Sequence, residues 1–180
     1  MFSWSPLHWS SKWGHLCIVD FLIKNGANIN AKGGDEWTPL HCSASKGHFN
    51  VVEYLVNQKA DMNSKNKDGK TPLILAIENE KPKVVEYLIN SGSSFQELCK
   101  GESCLHWSAR NGYVSIVESL INHGADFREG FDNESYLHWS ARLGYFNVVE
   151  YLVNQQADIN AKTKDVLFFY LIKLLFISLL

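Results

Sequence analysis

Seven histidines and four cysteines are the side chains of this sequence that could do acid–base, nucleophilic or metal chemistry. Cys99, Cys104 and His106 stand close enough together to suggest a zinc site. A structural zinc needs four tetrahedral ligands, and no fourth of suitable spacing is present. Cys104 as nucleophile with His106 as base lacks a third group to orient the imidazole. No glycine-rich phosphate loop occurs. The histidines fall instead at fixed places in recurring words. His8, His41, His106 and His138 each follow a leucine, in SPLHWS, TPLHCSA, SCLHWSA and SYLHWSA. His15 and His48 each follow a glycine, and His123 opens HGAD. Structural duty accounts for all seven. No catalytic residue, metal or cofactor is expected, and the chain reads as non-enzymatic.

The elements that carry these words are helices. The stretch from Trp37 to Asn63 shows the pattern in full. Thr38 is a good N-cap, and Pro39 suits the first helical position, where no N–H is needed. Leu40, Cys42 and Ala44 make a short helix, which Gly47 can end in the left-handed conformation. Val51, Val52, Leu55 and Val56 then give a second helix with a broad apolar stripe. Two helices this short cannot bury their apolar faces alone, so they must stack on copies of themselves. The copies are present. Leu7, Leu40, Leu73, Leu105 and Leu137 are 33, 33, 32 and 32 residues apart. Gly26-Ala27, Lys59-Ala60, Gly92-Ser93, Gly124-Ala125 and Gln156-Ala157 recur at the same intervals.

This unit resembles the ankyrin repeat, a 33-residue module whose first helix opens with T-P-L-H-x-A. The resemblance implies an all-α solenoid of about five stacked helix–turn–helix units joined by short β-hairpin loops. The expected repeats are 1–32 (partial, without its leading hairpin), 33–65, 66–98, 99–129 and 130–162. An aborted sixth repeat and an apolar tail would fill 163–180. Lys59 takes the place of a helix-ending glycine, and Glu80 that of a turn glycine. The third repeat also has Ile74 for the motif histidine, and it is expected to be the least regular. By the resemblance, the motif imidazole ties the helix start to neighbouring backbone. Trp9, Trp107 and Trp139 share one position with Cys42 and Leu75, and are expected to fill the stack between repeats.

The net charge is −2, which gives no bias toward nucleic acid or anionic membranes. The start MFSWSPLHWS has neither a basic nor an apolar signal region. Reduced thiols in a cytoplasmic or nuclear protein are therefore expected, with a membrane association as the alternative. That alternative rests on residues 166–180, VLFFYLIKLLFISLL. As a helix this run would reach about 22 Å, short of a hydrocarbon core of roughly 30 Å, with Lys173 at its middle. Packing as an apolar C-terminal helix on the fifth repeat and a misread coding sequence are the other readings.

Where the scaffold repeats, only variable positions are free for recognition. Two residues precede each turn glycine, and the resemblance places them on a concave groove. They include Lys12, Trp13, Lys46, Glu78, Arg110, Asn111 and Arg142. Trp37, Lys70 and Glu134 belong to the tips of the expected hairpins. Exposed tryptophan and arginine are the types that dominate binding hot spots. The expected function is protein–protein interaction, an adaptor or scaffold that binds an unidentified protein partner carrying acidic and apolar groups. A monomer is expected, with no nucleic acid partner. The rival readings are a membrane-tethered adaptor and the recognition portion of a larger protein.

Overall fold

The computed structural model describes residues 4–96, 103–128 and 135–162. Among them are ten α-helices and no strand. The chain divides into two compact units, Met1–Cys104 and Leu105–Leu180.

In the first unit, helices α1 (Pro6–Lys12), α3 (Pro39–Lys46) and α5 (Pro72–Glu78) pack side by side as one row. Helices α2 (Leu16–Lys24), α4 (Phe49–Asn57) and α6 (Pro82–Asn90) form a second row, each against its preceding partner. The first row starts where Ser5, Thr38 and Thr71 stand in extended conformation ahead of a proline. Leu7, Leu40 and Leu73 are fully buried between the rows. Val51, Val52 and Leu55 of α4 join them, as do Val84, Val85 and Leu88 of α6. Each buried leucine contributes about 1.5–3 kcal/mol relative to exposure. The third helix pair is formed, with seven and nine residues against eight and nine in the second pair, and Ile74 is buried where a histidine stands elsewhere. Apolar packing there offsets the missing histidine.

Among the described residues, the two loops expected as hairpins are tight turns and contain no strand. Gly33 N–H donates to the Trp37 carbonyl at 2.8 Å, and Asn66 N–H to the Lys70 carbonyl at 3.1 Å. Neighbouring tips are joined where Lys67 N–H donates to the Asp35 carbonyl at 2.9 Å. Lys59, Glu80 and Gln156 adopt the left-handed conformation, with φ of 66°, 55° and 67°. Each costs about 1 kcal/mol against glycine. The turn after α1 demands more. Gly14 has φ +74°, and a Cβ there would lie 2.7 Å from the His48 ring. His48 Nε2 meets the Lys12 carbonyl at 2.9 Å, so the ring of one repeat is seated on the glycine turn of the one before.

The second unit contains α7 (Cys104–Arg110), α8 (Val114–Asn122), α9 (Tyr136–Leu143) and α10 (Phe146–Asn154). Helix α10 packs on α8 and α9. Leu105, Ile116, Val117, Leu120, Val148 and Leu152 form its buried core. Leu137 is only half-buried, and Leu143 and Phe146 are exposed. The tail 163–180, with the expected C-terminal helix, lies outside the described residues. Among the described residues no helix is long and apolar enough to cross a membrane.

Candidate functional site

In the first unit the motif histidines His8 and His41 act as bolts. Thr38 N–H donates to His41 Nδ1 at 3.1 Å, and His41 N–H donates to Thr38 Oγ1 at 3.4 Å. This is a reciprocal capping box with histidine in place of the usual glutamate. Because Nδ1 accepts, the ring proton sits on Nε2, which donates to the Lys70 carbonyl at 3.0 Å, 29 residues further along. His8 repeats the arrangement, with Nε2 facing the Ala31 and Trp37 carbonyls at 2.9 and 3.0 Å. Desolvation pushes the His41 pKa down to about 4, against the pull of the backbone carbonyl that favours its charged form. The His41 imidazole is a neutral structural donor at neutral pH. Burial likewise pushes the Cys42 thiol up to about 12, so it is no nucleophile. Cys104 and His106 are both buried, and Cys99 lies outside the described residues. Among the described residues no group of three His, Cys, Asp or Glu could hold a metal ion.

What the bolts hold open to solvent is a cleft on the first unit, about 500 Å³ in volume. Trp4, Trp9 and Lys12 of the first repeat form one wall. Asp35, Trp37, Cys42 and Lys46 of the second form the other. The Trp4 ring stacks on Trp37 at 6.2 Å and 29°, and meets Trp9 at 5.2 Å and 52°. Lys12 Nζ lies over the faces of Trp4 and Trp9, 4.8 and 5.2 Å from their centroids. Gly33 is needed beneath this cluster, since a Cβ there would sit 3.0 Å from His8 Nε2 and 3.2 Å from Trp4 Cδ1.

The cleft gathers three of the residues expected to bind a partner, Lys12, Trp37 and Lys46. Trp13 is 62 % exposed at the end of α1 and is not among its lining residues. Lys70 and Glu78 pair with each other at 2.8 Å. In the second unit, Asn111 caps its own helix by donating to the Trp107 carbonyl at 2.8 Å. Arg110 and Arg142 are exposed, and the Arg142 guanidinium lies 4.0 Å from the centre of the Trp139 ring. Glu134 lies outside the described residues. One expectation for the tryptophans fails. Trp107 is buried as expected, but Trp9 is 48 % exposed and lines the cleft. Its helix α1 is packed by α2 and α3, whereas Cys42 belongs to α3, which has a helix of its own row on either side. Trp4 was also missed as a site residue. Its signal was the spacing of 33 residues to Trp37, which places both indoles just ahead of a helix start.

Sequence and structure comparisons agree with this fold. A family model described as ankyrin repeats (3 copies) matches residues 7–98 and 93–163. The fold is similar to the crystal structure of the human ASB11 ankyrin repeat domain, with a TM-score of 0.69 and 23 % identity, covering 88 % of this chain and 72 % of that one. No curated protein sequence matches this chain. With recurring capped helix pairs, bolting histidines and a family match over most of its length, the chain belongs to the ankyrin repeat family.

Proposed function

We propose that this chain is a non-enzymatic adaptor whose first-helix ends and inter-repeat turns bind a protein partner. Ankyrin repeats are generally protein–protein interaction modules, and the finer reading rests on one observation. Trp9 and Lys46 stand open to solvent in one cleft, with Trp37 and Lys12 half-buried beside them. Tryptophan on a rigid frame gives large contact area at little ordering cost. In this reading the adaptor works in the cytoplasm or nucleus, which the free thiols of Cys17, Cys42 and Cys104 support.

The test is capture of partners from a cell extract by the full chain and by a variant with Trp13, Lys46, Arg110 and Arg142 all changed to Ala. The variant is expected to lose its partners while keeping the far-ultraviolet circular dichroism of the parent. Unchanged capture overturns the assignment of these residues.

A further inference from the structure

We propose that the cleft of Trp4, Trp9 and Trp37 is a recognition pocket for a protein segment in which a carboxylate lies within two residues of a large apolar side chain. The proposal rests on the adaptor reading above and names the chemistry of the ligand. Two observations carry it, the shape of the apolar wall and the charge left beside it.

The wall is made of three indoles, Trp4 meeting both Trp9 and Trp37, and it stays partly open, Trp9 being 48 % exposed. A side chain such as Phe, Trp or Leu entering between them removes apolar surface from water on both partners. The charge is positive. Lys12 lies over two indole faces, and among the described residues no carboxylate comes within ion-pair distance of it or of Lys46. The acid of the same cleft, Asp35, already faces Lys67 at 3.5 Å, and the neighbouring Glu36 faces Lys32 at 2.6 Å. The cleft therefore holds two ammonium groups against the single carboxylate of Asp35, which already faces Lys67. The Lys12 ammonium is already positioned by the rings, so a carboxylate reaching it pays little further ordering cost.

The same observations disfavour two other ligands. A cationic group would have to displace Lys12 from the ring faces, because like charges cannot share them. A single-stranded nucleic acid could stack on the indoles, but its backbone needs a groove of successive cations. Here two lysines share the cleft with Asp35, on a chain of net charge −2.

The test is selection of a phage-displayed random dodecapeptide library on the full chain, followed by fluorescence anisotropy of the enriched peptides. Enriched sequences are expected to carry Asp or Glu within two residues of Phe, Trp or Leu. Lys12→Gln, Trp9→Ala and Trp37→Ala should each weaken them about tenfold or more, a hot-spot effect. Lys12→Arg should retain binding. Raising salt should weaken binding to the wild type and do so less for Lys12→Gln. Basic or uncharged enriched peptides overturn the proposal, as does equal competition by a dodecamer of deoxythymidine. Peptides lost on Arg110→Ala with Arg142→Ala, but indifferent to Lys12→Gln and Trp9→Ala, refute this pocket and leave the adaptor reading standing. If the full chain enriches no peptide, both readings fall.

Discussion

Acid should loosen this protein through His41. The ring is fully buried, donates to the Lys70 carbonyl and has its pKa pushed down to about 4 from the usual 6.5. The sign follows from which state takes the proton. Below pH 6.5 the unfolded chain protonates its histidine while the folded chain refuses the proton until about pH 4. Stability is therefore complete above 6.5 and falls as pH drops through that window. The window is about 2.5 pH units wide, and each unit is worth about 1.4 kcal/mol, so His41 alone removes about 3 kcal/mol. That is a large part of the total for a domain of ordinary stability. The assay is urea denaturation at pH 7 and pH 4 of the wild type and of His41→Asn. The variant should be weaker at pH 7 by about 1–3 kcal/mol, because it disturbs a buried hydrogen-bond set. It should also lose about 3 kcal/mol less than the wild type between the two pH values. Carboxylates common to both proteins cancel in that difference. Parallel stability–pH curves would show that His41 is not held neutral by burial, and the reasoning would be wrong.

Two glycines with similar backbones should respond differently to alanine. Gly14→Ala meets both a left-handed φ and the His48 ring, and should cost about 2–4 kcal/mol in urea denaturation. Gly26→Ala has a φ of +89° but nothing within 4 Å of the new methyl, and should cost about 1–2 kcal/mol. Equal costs would mean that the seating of His48 on the turn contributes nothing. The apolar run 166–180 should be released from membranes by carbonate, because it is short and carries Lys173 at its middle. A carbonate-resistant fraction that disappears when 166–180 is removed would establish a tether instead.

Much of this was legible in the chain, for a physical reason. A repeat encodes its local structure in every copy, so caps, helix starts and turn positions can be read several times over. Thr38-Pro39, Thr71-Pro72 and Ser5-Pro6 do stand at helix starts, and Lys59 and Glu80 do take the left-handed conformation that their alignment with glycines required. Helix burial followed for the same reason, since a stripe at helical spacing has one side to turn inward. The tertiary structure decided what depends on neighbours. Trp9 and Cys42 hold the same letter of the motif, yet one is half open and the other sealed, because their helices are covered on different numbers of sides. The same dependence gave His41 its partner 29 residues away and brought Trp4, Trp9 and Trp37 to one cleft with two lysines. A periodic sequence specifies which face of each helix packs. Which side chains remain open on the packed assembly is fixed only by the atoms that arrive beside them.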